Sequence, residues 1–145
     1  MFRSLFATIS VLFLFTSQAI ACSCAQFESI EEHVGISDVI FIGAAEKTGR
    51  TLSGLFGSEY NRSTRFSVAE MLKGEKDEKL FVTHYLSLDY GANCGLTFEK
   101  GVEYLVFAFR RQNGSLTTHS CMRTRKKSEF PDGLLEEYRE VINPG

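Results

Sequence analysis

Val102-Glu103-Tyr104-Leu105-Val106-Phe107-Ala108-Phe109 decides the fold class of this chain. Apart from Glu103 the run is apolar, and β-branched and aromatic side chains dominate it, which is the composition that fits a pleated, buried surface. Working outward, Val39-Ile40-Phe41-Ile42-Gly43-Ala44-Ala45 follows Ser37-Asp38 and reads as a second buried strand. Residues 65–72 place Phe66, Val68 and then Met71-Leu72 among polar positions, and Lys73-Gly74 ends them. Leu80-Phe81-Val82 is a short strand. Asn113-Gly114 is a turn dipeptide that favours a tight hairpin into a fifth strand over residues 116–121. Residues 48–63 hold three glycines and several hydroxyl residues, the composition of a hairpin loop.

Two helices complete the reading. Residues 29–34 form a short turn with Glu31 and Glu32 well placed for the helix dipole. Over residues 132–142, Asp132 is positioned to cap, and Leu134, Leu135, Tyr138 and Val141 or Ile142 fall on one face that packs on the sheet. The expectation is a mainly β chain: a five-stranded Greek-key OB-fold barrel with one or two flanking helices. A sandwich would need seven or more strands.

The first 21 residues read as a secretion signal. Arg3 gives the positive start, residues 5–15 are apolar apart from Thr8 and Ser10, and Ala19-Ile20-Ala21 supplies the small-x-small cleavage pattern. The apolar core is about 11 residues, short of the roughly 20 that span a bilayer. Cleavage after Ala21 leaves one domain, 22–145, with Cys22 as its first residue; the rival reading is a lipoprotein signal that acylates Cys22. The full chain carries a formal charge of −2. That balance is too mild to imply nucleic acid or an anionic membrane. Arg123, Arg125, Lys126 and Lys127 form the one basic cluster, read as a solvated strand exit.

Four cysteines, Cys22, Cys24, Cys94 and Cys121, imply two disulfides in an exported chain. One intervening residue makes a Cys22–Cys24 bond strained, so each reaches into the body of the domain, to Cys94 or to Cys121. Two connectivities remain open on that argument. Either closes long loops; the roughly 70 residues between Cys22 and Cys94 would contribute up to about 4 kcal/mol in the chain-entropy model.

These pieces, taken in order, resemble the inhibitory N-terminal, netrin-like domain of the tissue inhibitors of metalloproteinases. The resemblance rests on Cys22-Ser23-Cys24, Ser37-Asp38-Val39-Ile40-Phe41 and residues 66–74, and continues through Asn93-Cys94-Gly95-Leu96, Gly101-Val102-Glu103-Tyr104-Leu105 and residues 116–121. It implies an OB-fold barrel and the pairing Cys22–Cys94 and Cys24–Cys121. It also implies a mechanism in which the α-amine and carbonyl oxygen of Cys22 bind the catalytic zinc of a metalloprotease, while Ser23 enters the adjacent specificity pocket. The inhibitor would bring no metal or cofactor of its own. The chain departs from the family pattern at Ala25-Gln26, where a proline is expected, and it has no third disulfide and no C-terminal subdomain.

Nothing else in the sequence carries chemistry. His33, His84 and His119 lie far apart without ligand spacing, and no nucleophile–base signature, carboxylate pair or phosphate-binding glycine loop appears. Glu99 and Asp89 read as isolated, solvated acids. Asn61-Arg62-Ser63 and Asn113-Gly114-Ser115 are glycosylation sequons. The expectation is therefore a protein that is not an enzyme. Two alternatives stand beside inhibition. One is an exported OB-fold module that binds protein, peptide or glycan through its barrel face or residues 48–63. The other is a Cys-x-Cys metal or redox site.

Overall fold

The computed structural model describes residues 24, 29–52, 62–84 and 95–145. Six strands and two α-helices occur among them: α1 (Ile30–Ile36), β1 (Val39–Arg50), β2 (Arg62–Lys73), β3 (Lys79–His84), β4 (Glu103–Arg110), β5 (Leu116–Thr117), β6 (Arg125–Lys126) and α2 (Leu134–Ile142). Five strands close a barrel in the order β1-β2-β3-β5-β4, with β4 returning to pair with β1. Every neighbouring pair is antiparallel except β3–β5. This is the mainly β, OB-type barrel expected from the strand pattern.

The two strongest apolar runs occupy the most enclosed positions because they are buried on both faces. In β1 and β4, Val39, Phe41, Ala45, Tyr104, Val106 and Ala108 point into the barrel. Their alternates Ile40, Ile42, Leu105 and Phe107 point outward, into a second core closed by Tyr138 of α2, Met122, and Val34 of α1. Double burial removes the need for polar alternation, and this accounts for the continuous apolar runs. Inside the barrel Phe66, Phe98 and Tyr104 meet edge to face, with ring centroids 5.0 and 4.9 Å apart, a favoured aromatic geometry.

β1 bends around the barrel through irregularities in its ladder with β2, one of them between Ile42 and Gly43. At Gly43 a Cβ would stand 2.8 Å from the Ser67 carbonyl oxygen, so the two backbones approach as only glycine permits. The connection into β4 is a turn in which the Val102 amide donates to the Glu99 carbonyl at 3.2 Å. Gly101 adopts φ +82° there, the positive value a type II turn demands of its third residue. The Asn113-Gly114 hairpin forms as expected: Asn113 Oδ1 accepts from the Ser115 amide at 3.0 Å, and Gly114 has φ +82°.

The helices are fixed to the barrel by polar contacts as well as by packing. Ser29 caps α1 by accepting from the Glu32 amide at 3.3 Å. Lys73 Nζ donates to the Val34 and Ser37 carbonyls at 2.7 and 2.6 Å, covering the exposed carbonyl end of α1. Arg139 on α2 grips Glu70 on β2 through two hydrogen bonds. The cap of α2 differs from expectation: Gly133, in the left-handed region, precedes the helix and Asp132 does not cap it. Here the Leu134 amide turns back to the Pro131 carbonyl at 3.2 Å, so the chain enters the helix through a backbone turn.

Three expectations about strand extent are corrected. β1 and β2 run five residues and three residues, respectively, further toward their hairpin tip than the apolar pattern indicated, through residues 46–50 and 62–64. β5 stops at Thr117, and Ser120–Met122 is a 3₁₀ turn. The basic cluster forms a short sixth strand, β6, on β4. Its side chains are engaged: Lys126 with Glu99 at 2.5 Å, Lys127 with Glu103 at 3.2 Å, and Arg125 over the Phe130 ring at 5.0 Å. Glu99 is accordingly paired.

Candidate functional site

The site expected from the sequence is the amino end of the domain. Cys22, Ser23 and Cys94 lie outside the described residues, as does the expected leader, residues 1–21. Cys24 is exposed and forms a disulfide with Cys121, their Cα atoms 5.4 Å apart. The bond is the Cys24–Cys121 pairing that the resemblance implies.

Cys121 sits in the 3₁₀ turn between β5 and β6, and this turn is held from several directions. Met122, the next residue, is buried in the outer core. Thr118 Oγ1 and Thr124 Oγ1 share a hydrogen bond at 2.9 Å across the base of the turn. Thr124 also accepts from the Phe107 amide at 2.9 Å and donates to the Phe107 carbonyl at 3.2 Å, so its side chain takes the place of a strand neighbour for β4. The chain reverses at Arg123, whose φ of 57° is in the left-handed region.

His33 of α1 packs behind this turn, buried and edge-on to Phe107 with ring centroids 6.3 Å apart. Burial, reinforced by the Arg123 charge, holds its imidazole below the usual histidine value; contacts with the backbone of Ser29 and Cys121 and the charge of Glu32 oppose this more weakly. His119, two residues before Cys121, is also shifted down by burial. It lies edge-on to Phe109, the ring centroids 5.9 Å apart. Neutral rings are thus favoured on both sides of the disulfide.

His84 has a separate role on β3, the strand that neighbours β5. It is fully buried and shares a 2.8 Å hydrogen bond through Nε2 with Thr64 Oγ1, which is 2.6 Å from Thr48 Oγ1. Among the described residues no three His, Cys, Asp or Glu side chains converge as metal ligands. No described helix is long and apolar enough to cross a membrane.

A second feature was not singled out from the sequence. A groove of about 810 Å³ lies along the tip half of β1, between Arg65 and Ser67 of β2 and the Phe98–Gly101 segment. Lys47, Arg65 and Lys100 bring three cations to it and Glu46 brings one carboxylate. Arg65 Nε is 2.5 Å from Glu46 Oε2. The usable signal was the pairing of Lys47 with Arg65 across a polar hairpin, which becomes visible only when residues 46–50 and 62–64 are recognised as strand.

No protein-family model matches the chain, and no curated protein matches it.

Proposed function

We propose that this protein is a secreted inhibitor of zinc metalloproteases that acts through the amino end of its mature chain. The observation that supports the reading best is the Cys24–Cys121 bond on an OB-type barrel. It anchors the third residue of the expected mature chain, and the two residues before it reach no further than about 7 Å from such an anchor. An amine confined in this way loses little further freedom on binding, which is how preorganisation raises affinity. A disulfide also fits the oxidising environment to which a cleaved leader directs a protein.

The chemistry follows from the donors at Cys22. With its sulfur in a disulfide to Cys94, the residue still has an α-amine and a carbonyl oxygen to offer. A catalytic zinc keeps one position open for water or substrate. An α-amine with a reference pKa near 7.7–8.0 gives up its proton readily when a metal competes for the lone pair. The two donors displace the zinc-bound water, and Ser23 lies against the neighbouring pocket. In this reading the protein brings no metal and catalyses no reaction.

The test adds one alanine before Cys22 in the mature protein, which converts the amine into a peptide nitrogen. The unextended protein should inhibit a secreted zinc metalloprotease, and the extended one should not, with both showing the same circular dichroism and no free thiol. Equal inhibition by the two, or none by the unextended protein across a metalloprotease panel, overturns the proposal.

A further inference from the structure

The outer face of β1–β2–β3 carries an arrangement that the inhibitor reading does not use. Lys47 lies opposite Arg65, and Arg65 opposite Phe81, in one row across the three strands. The next row toward the tip is Gly49, Ser63 and Thr83. Phe81 is 62% exposed, although its neighbours Leu80 and Val82 turn inward. A depression of about 170 Å³ beside it is lined by Lys47, Gly49, Ser63 and Arg65. Lys47 and Arg65 also line the 810 Å³ groove, so the two hollows share these two cations. At Gly49 an added Cβ would meet no atom within 4 Å, leaving the strand open beside the exposed ring.

An exposed aromatic ring among cations and hydroxyls has a recognisable ligand chemistry. The apolar C–H face of a pyranose covers the ring, sugar hydroxyls bond to fixed side-chain hydroxyls, and carboxylates pair with Lys and Arg. Here Thr83, in the outer row beside Phe81, donates its hydroxyl to the Leu116 carbonyl at 2.9 Å and lies 2.6 Å from the Thr117 hydroxyl. Those contacts fix one polar group in place before any ligand arrives. From Lys47 to Phe81 is two strand spacings, about 10 Å, the length of roughly two linked sugar rings.

The charge balance narrows the class. Three cations against one carboxylate suit a polymer with about one negative charge per ring. A nucleic acid would call for several stacking rings and a denser cationic path, whereas Phe81 is the one large aromatic exposed among the described residues.

We propose that the outer face of β1–β2–β3 docks a uronate-bearing polysaccharide, with a sugar ring on Phe81 and carboxylates on Lys47, Arg65 and Lys100. The proposal is independent of the chemistry at Cys22, and it assigns a ligand class to a surface that inhibition leaves idle.

The experiment measures binding of the mature protein to oligogalacturonate, with neutral dextran, a single-stranded oligonucleotide and poly-glutamate for comparison. Oligogalacturonate should bind at low ionic strength and dextran should not. Lys47→Glu together with Lys100→Glu should weaken binding about tenfold or more, and Phe81→Ala about fivefold, with Phe81→Tyr restoring it. Lys76→Glu, a charge reversal on the β2–β3 turn, should leave binding nearly unchanged. Equal binding of the oligonucleotide or poly-glutamate overturns the proposal, because the face would then be a general polyanion patch. Equal weakening by Lys76→Glu, or no binding of oligogalacturonate by a protein with native circular dichroism, overturns it as well.

Discussion

Arg139 holds Glu70 in a two-pronged grip, Nε to Oε1 at 3.0 Å and Nη2 to Oε2 at 2.7 Å, which joins the last helix to the second strand across 69 residues of sequence. The same guanidinium reaches Glu136 one turn earlier, at 2.7 Å. A planar fork facing a carboxylate is a stronger arrangement than a single-point ion pair. Both partners are about a third or more exposed, so water and salt reduce what the pair contributes.

Glu70→Gln should lower stability by about 0.5–1 kcal/mol at neutral pH, read from urea denaturation. The sign of its pH dependence follows from the hydrogen bonds of Arg139, which hold the Glu70 carboxyl below its ordinary value. The stabilisation is present above the unfolded carboxyl value, near 4.3, and is lost as pH falls through the lower folded value. The difference between wild type and variant should therefore shrink in acid. A difference that stays constant down to strongly acidic pH would show that the contact acts through packing alone.

His33 should make the protein less stable as pH falls. Its folded-state value is depressed, so the unfolded chain binds the proton more readily, and stability is fully present only above the unfolded value near 6.5. His119, depressed by burial, acts in the same direction. Replacing both with phenylalanine should flatten the dependence of unfolding free energy on pH between neutral and mildly acid conditions. An unchanged slope would place the responsible groups elsewhere.

Removal of the Cys24–Cys121 bond should destabilise the domain by about 2–4 kcal/mol, with an upper bound near 4.7 kcal/mol for a loop of this length. The bond closes a sequence separation of 97 residues. Cys24→Ala with Cys121→Ala is the variant, and the midpoint and slope of urea unfolding are the readouts. A fall in midpoint with a steeper slope is expected, because the unfolded chain exposes more surface once the staple is gone. No change in midpoint would mean that Met122 and the Thr118–Thr124 hydrogen bond hold the turn without the staple.

What could be read from the sequence was whatever apolar burial writes into it. Ile40, Ile42, Leu105 and Phe107 announce buried strands because helices cover the far side of the sheet. Thr48, Thr64 and His84 announce nothing, since the end of the barrel they line is closed by hydrogen bonds between polar side chains. The hairpin tip therefore resembled loop in composition and is strand in fact. Thr124 is hidden for a related reason: its hydroxyl substitutes for a backbone neighbour of Phe107, a role with no pattern of spacing. Phe81 was read as one residue of an apolar triplet, yet alternation along β3 turns it outward while Leu80 and Val82 face the core. The Cys24–Cys121 pairing was implied by resemblance, because counting cysteines allows two answers.

β1 is one strand with two different obligations. Residues 39–45 are almost wholly enclosed, whereas residues 47–50 lie open to solvent. Substitutions at Lys47 or Gly49 on this strand, and at their neighbours Ser63, Arg65 and Phe81, touch no part of either core. Descendants of this chain are thus free to rewrite the open half, and so to change what they hold, without renegotiating how they fold. In the enclosed half, the same number of changes would have to be matched by compensating ones in β4 and both helices.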